Sequence, residues 1–220
     1  NRNVVDERFL ENLYWTKTYI YIERSNAYMF NVGDKIVYPM HGAGTIDAIE
    51  QKDILGEKQD YYIIKMPGEV KVMVPIEKAA QIGVRNIINK EEAGKVLEVL
   101  EAGETEMSNN WNKRYQENMN KMKSGSVYEI ADVVRNLSFK QKEKGLSTGE
   151  KKMLNNAKQI LVSELVLAEH ATEPEVVQLI DNKINVSFEE HRNLNNVTPN
   201  ENIVSKFIPF DGGNTDTNAM

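Results

Sequence analysis

The spacing of apolar residues changes once along this 220-residue chain, and that change decides its fold class. Up to Pro75 the apolar residues come in short alternating runs broken by Gly and Pro; from Gln81 onward they recur three and four apart. A period of two belongs to strands and a period of 3.6 to helices. Strands followed by helices build an α+β protein rather than an alternating α/β one.

The first half reads as a small β-domain over residues 29–78. Residues 34–38 form a short strand, stopped by Pro39 and the glycine turn His41-Gly42-Ala43-Gly44. Residues 45–50 alternate, with Ile46, Ala48 and Ile49 apolar, and Gly56 marks the next turn. Tyr61-Tyr62-Ile63-Ile64-Lys65-Met66 is dense in strand formers, and Pro67-Gly68 turns the chain again. Val70, Val72 and Val74 then share one strand face, with Glu69, Lys71 and Met73 on the other. Four or five strands with tight turns in so short a span predict an SH3-like or Tudor-like barrel.

The second half, residues 79–184, reads as a compact all-α domain. Asn89 with Glu92 makes a capping box ahead of Val96, Leu97 and Leu100, and Gly103 stops that helix. Asn109 or Asn110 caps a helix whose face carries Trp111, Tyr115, Met119 and Met122. Ser126 with Glu129 and Ser147 with Glu150 are two further capping boxes, each opening an amphipathic helix. A last short helix spans residues 176–184. Residues 185–220, rich in Asn, Thr, Asp and Gly, are expected to be a disordered tail. Residues 1–28 are an atypical leader. They do not begin with Met and hold an aromatic β-prone run from Tyr14 to Ile22, so Met29 is read as the start of the folded unit.

Composition excludes several classes. With no cysteine in the chain there are no disulfides, thiolate metal sites or cysteine nucleophiles, and a cytoplasmic protein is expected. No apolar run approaches the ~20 residues that span a bilayer, and the first ten residues lack a signal-peptide pattern, so no membrane is expected as a partner. His41, His170 and His191 are scattered, and the His41–Gly44 turn lacks both the P-loop lysine and the dinucleotide fingerprint. No nucleophile–base constellation is visible. A non-enzymatic protein without metal or cofactor, acting as a monomer, is the expectation.

Charge is unevenly placed. From Trp111 to Lys158 there are eleven Lys and Arg against five Asp and Glu, an excess of six positive charges on a chain of net −6. A basic stretch on an acidic protein is the footprint of a nucleic-acid face, and a tryptophan at its edge can act as a wedge or stacking group. The competing reading makes Trp111 a core residue and the lysines a solvated helix face, leaving a protein–protein interaction module that binds a partner without DNA. Burial separates the two. An indole more than half exposed favours the wedge, and one sunk against Met119 and Met122 favours the core.

The motifs resemble those of a known family. Val32-Gly33-Asp34-Lys35-Ile36-Val37-Tyr38-Pro39, then His41-Gly42-Ala43-Gly44, are similar to the opening of the CarD/CdnL bacterial transcription regulators. So are Asn110-Trp111 with Arg114-Tyr115, and Lys144-Gly145-Leu146-Ser147 followed by Gly149-Glu150-Lys151. The resemblance covers residues 29–184 in order and spacing. The transcription-repair coupling factor carries a module similar to the opening motif, but not the basic helical half with its tryptophan.

The resemblance implies a β-domain that binds the β subunit of RNA polymerase through strand edges, and a helical domain against promoter DNA at the upstream edge of the bubble. There the tryptophan enters the minor groove without reading sequence and stabilises the open complex. Such a ring shifts the closed–open equilibrium only by its differential affinity for melted DNA. A tenfold shift needs about 1.4 kcal/mol, within the ~1–3 kcal/mol of one stacking contact. Carried over position by position, Trp111 matches the wedge, and Lys113, Arg114 and Lys151 match neighbouring basic positions. With Lys140 and Lys144 these make up the expected DNA-binding set. Lys52 and Ile54 fall at polymerase-contacting positions. Met73 stands where some members have arginine, so that charge contact is lost or moved to Lys71 on the same strand face.

Overall fold

The computed structural model describes residues 29–54 and 56–196, with side chains described to residue 193. The expected leader, and the part of the expected tail from 197 onward, lie outside the described residues.

The architecture is α+β. Strands β1 (Lys35–Tyr38), β2 (Gly42–Ile54), β3 (Glu57–Lys65) and β4 (Lys71–Pro75) are followed by helix α1 (Ile76–Ile82), the short strand β5 (Arg85–Asn86), and helices α2 (Lys90–Glu101), α3 (Trp111–Lys123), α4 (Val127–Glu143), α5 (Thr148–Glu169) and α6 (Glu173–Asn196). The strands pair antiparallel in the order β4-β3-β2-β1-β5.

Where an SH3-like or Tudor-like barrel is expected, the described strands form a sheet that is not closed. β4 and β5 lie at opposite edges, and α1 and its left-handed glycine cap Gly83 carry the chain from one edge to the other. Beyond residue 78 the chain returns to the sheet, where β5 sets Asn86 opposite Ile36. A two-residue strand after a helix carries no periodic signal. The glycine turn is tighter than expected, since Gly42, Ala43 and Gly44 already belong to β2. Gly44 must be glycine because an added Cβ would lie 2.6 Å from the Lys65 carbonyl oxygen. One sheet face packs Ile36, Ile46, Tyr62, Ile64 and Val74 with Phe30 into a core that Ala79 of α1 helps to close.

The helices enclose a second core. Ile130, Val133, Val134 and Leu137 of α4 pack with Met153, Leu154, Ala157, Ile160, Leu161 and Leu165 of α5, as their spacing predicts. The boxes Asn89/Glu92 and Ser147/Glu150 form reciprocally, whereas Ser126 makes no side-chain cap bond. The last helix is longer than expected and runs to Asn196. Its polar residues hide a buried stripe of Val176, Ile180, Ile184 and Ser187 at four, four and three residues, with Phe188 edge-on to Phe139 at 5.2 Å. Residues 185–196, expected in the tail, are therefore helical.

α3 also departs from expectation. Its buried face carries Arg114, Asn118 and Met122, while Tyr115 and Met119 are half-buried and Trp111 points outward. The inward stripe lies one residue before the aromatic one, because an ion pair recruits Arg114 to the interior.

Candidate functional site

Trp111 opens α3. Asn110 caps the helix, its side chain accepting from the Lys113 amide at 3.1 Å. The indole is 44% exposed and lies outside the helical core cluster. It falls just short of half exposure, yet it is not sunk against Met119 and Met122. One edge is held: Nε1–H donates to Ser147 Oγ at 3.0 Å, and the ring stacks on Tyr115 at 5.3 Å and 27°. Gly149 lies beneath, where an added Cβ would touch both rings at 3.5 and 3.6 Å.

Ser147 belongs to a relay. Its hydroxyl donates to Glu150 Oε2 at 2.8 Å while taking the Glu150 amide as the α5 cap. Glu150 Oε1 receives Arg114 through Nε at 2.8 Å and Nη2 at 2.7 Å, and Arg114 Nη1 donates to the carbonyls of Ser108 and Asn109. Both charges are buried, at 7% and 3% exposure. Burial alone would raise the Glu150 carboxyl. The bonds from Arg114 and Ser147 outweigh it and hold the group below the usual carboxylate range.

A second network fixes the loop that enters α3. Arg135, almost fully buried on α4, donates to the Val99 carbonyl and to Asp132, while Asn136 meets the Thr105 amide and hydroxyl. Lys121 of α3 reaches the same Asp132 at 2.5 Å. Burial opposes the charge on Asp132, but Lys121 and Arg135 hold its carboxyl low.

The expected DNA-contacting residues separate accordingly. Trp111, Lys113, Lys144 and Lys151 are exposed, and Lys140 is half-buried one turn before Lys144. Lys113 meets Glu117 only at 3.9 Å. Lys144 and Lys151 flank Ser147 in the chain, which puts them beside the indole's anchor. Arg114 is the exception: its guanidinium is consumed by Glu150 and two carbonyls and faces inward. Sequence reasoning took Ser147 and Glu150 for a cap and missed that the same pair anchors the ring.

The expected polymerase-contacting residues share one sheet face. The register sets Lys52 opposite Gln59, Ile54 opposite Glu57, Met73 opposite Ile63 and Lys71 opposite Lys65. Alternation along β3 and β4, with the bulge after Ile46 shifting the phase of β2, puts Lys52, Ile54, Lys71 and Met73 all on the face away from the sheet core. Ile54 and Met73 are exposed apolar side chains. Lys52 pairs with Glu50 at 2.5 Å, and Lys71 with Asp47, the bulged residue of β2, at 2.6 Å. That bond from Lys71 lowers the Asp47 carboxyl and raises the lysine.

Two family matches divide the chain between the sheet and the helices that follow β5. Residues 30–88 match the CarD-like/TRCF RID domain, and residues 95–181 match the CarD C-terminal domain. The Bacillus subtilis (strain 168) protein named "Putative transcription factor YdeB" is 42% identical over 149 residues, which cover 67% of this chain and 97% of that protein. A strand domain and a helical domain matched in this order define a transcription regulator. The chain belongs to the CarD family.

Proposed function

We propose that the chain binds the β subunit of bacterial RNA polymerase through its outer sheet face and the β4 edge, and holds Trp111 against promoter DNA at the upstream edge of the bubble, stabilising the open complex. The observation that carries this reading is the anchored, half-exposed indole at a helix start beside the exposed Lys113, Lys144 and Lys151. A ring fixed along one edge presents the other as a wedge, and lysines around it neutralise phosphates without reading bases. Lys52, Ile54, Lys71 and Met73 supply a charged and apolar docking face, and the edge of β4, unpaired among the described residues, supplies backbone groups for sheet extension.

The action is that of a monomer without catalysis, since population shift requires only differential binding. The test is the lifetime of open complexes formed by purified bacterial polymerase, with and without the protein. Lengthening by the parent and none by Trp111→Ala is the expected result. Equal lengthening by both would end the wedge reading in favour of partner binding without DNA.

A further inference from the structure

We infer that the sheet and the helical bundle form one rigid arm, and that Arg85 and Glu164 are the positioning pair that fixes where Trp111 lands once the sheet is docked. The inference deepens the proposed function and rests on it.

Three strands grip one turn of α5. From β5, Arg85 makes a two-pronged pair with Glu164, Nη1 to Oε1 at 2.5 Å and Nη2 to Oε2 at 3.0 Å. The same guanidinium donates to the Gly125 carbonyl, in the link between α3 and α4, at 3.0 and 2.9 Å. Glu164 is fully buried, and its Oε1 also accepts the Ile88 amide at 3.1 Å. From β2, the Ala43 amide donates to Ser163 Oγ at 2.8 Å. Gly42 beside it comes so close that a Cβ would lie 2.5 Å from that oxygen. From β1, Lys35 Nζ donates to the Leu167 carbonyl at 3.3 Å. The glycine motif after β1 is thus more than a turn: it is where the sheet meets the bundle.

The grip and the indole anchor sit on the same helix. Ser147 caps α5, and the sheet holds Ser163, Glu164 and Leu167 further along it. At 1.5 Å per residue, the anchor lies roughly 25 Å from the grip. A tilt of about 10° at the grip would then displace the ring by roughly 4 Å, the thickness of a base step and far beyond the ~0.5 Å to which a working site is held. A bidentate Arg–carboxylate pair fixes direction as well as distance, which a single lysine contact does not. A buried carboxylate with that partner tolerates no alternative angle that would strip it.

The chain has no cysteine, so Lys58→Cys and Asn112→Cys provide two unique spin-label sites, one on the β2–β3 hairpin and one beside Trp111. Electron–electron distance measurement on the full chain should give one narrow distribution. Glu164→Gln should broaden or shift it while far-ultraviolet circular dichroism still shows cooperative unfolding. In unlabelled protein the same change should leave polymerase affinity intact and reduce the gain in open-complex lifetime about fivefold or more. Arg85→Lys and Ser163→Ala keep the test open should Glu164→Gln not fold. They should shift the distances less and reduce the lifetime gain in the same order. A broad distribution in the parent, or joint variants with altered distances and a full lifetime gain, would overturn the positioning role. Narrow distances in a parent that never lengthens open-complex lifetime would overturn the functional reading itself.

Discussion

Arg114 and Glu150, 36 residues apart in the chain, form a buried ion pair that ties the first turn of α3 to the first turn of α5. The pair stands directly behind the exposed indole: Glu150 holds Ser147, and Ser147 holds Trp111. Removing either charge strands the other in the interior. Arg114→Met should therefore cost about 3–5 kcal/mol, read as a shift in the urea midpoint. A loss under ~1 kcal/mol would mean that the pair is solvated and that Arg114 is available to DNA after all.

Acid should act on the same place. The carboxyls of Glu150 and Asp132 are held below their usual values. A depressed folded-state pKa contributes stability that is fully present above the unfolded value, near pH 4, and is lost as pH falls through the folded one. The contribution of these two carboxyls should be flat from neutral pH to about 5 and fall below about 4. Glu150→Gln should be less stable throughout and lose less on acidification. Parallel stability–pH curves for parent and variant would remove Glu150 from the acid response.

Trp111→Ala tests the wedge against the core. The half-exposed ring contacts Tyr115 and Ser147 but is not part of the core cluster. Its removal should cost far less than the ~3–5 kcal/mol of an emptied buried aromatic site, while open-complex stabilisation disappears and polymerase binding survives. A core-sized loss in chemical denaturation would make Trp111 structural.

How much of this was legible in the sequence follows from the range of each interaction. The α+β order, the helical cores and two reciprocal capping boxes are local patterns, and their residues announce them. Alternation also puts Lys71 with Met73, but only the bulge at Asp47, which no spacing announces, brings Lys52 and Ile54 onto the same face. What the sequence hid is non-local. Arg114 reads as a surface base until Glu150 comes across to meet it. The strand at Arg85 is too short to have a period, and the stripe Ile180–Ile184–Ser187 includes a serine that buries itself by donating to the Ala102 carbonyl. The barrel failed to close because closure depends on how the two sheet edges lie in space, which no spacing encodes.

Ser147 separates holding the ring from capping the helix. Glycine is nearly as good an N-cap as serine, costing a few tenths of a kcal/mol, but it has no hydroxyl for the indole. Ser147→Gly should keep the helix start, cost about 1–3 kcal/mol for the bond lost to the buried Glu150 carboxylate, release the ring, and weaken open-complex stabilisation; Ser147→Thr should preserve both. Time-resolved fluorescence anisotropy, after Trp15→Phe leaves Trp111 the sole tryptophan, reads the release directly. Unaltered ring motion in the glycine variant would show that Tyr115 alone fixes the indole.

Salt dependence tests the tethered reading as a whole. Lys113, Lys144 and Lys151 are the exposed bases of the expected set, and Arg114 is spent internally. Three or four phosphate contacts give a weak electrostatic grip whose affinity falls with salt at a slope of roughly −0.9 per contact on duplex DNA. The free protein should therefore bind random duplex weakly, with a log–log slope near −3, and without sequence preference. Docked on polymerase, the same surface works at an effective concentration on the order of millimolar, and occupancy at the bubble should persist at salt that abolishes binding to free DNA. Binding across a salt series, to duplex alone and to a polymerase–promoter complex, reads both numbers. Tight, salt-insensitive binding of the free protein to one duplex sequence would make it a sequence-specific factor and would remove the need for any tether.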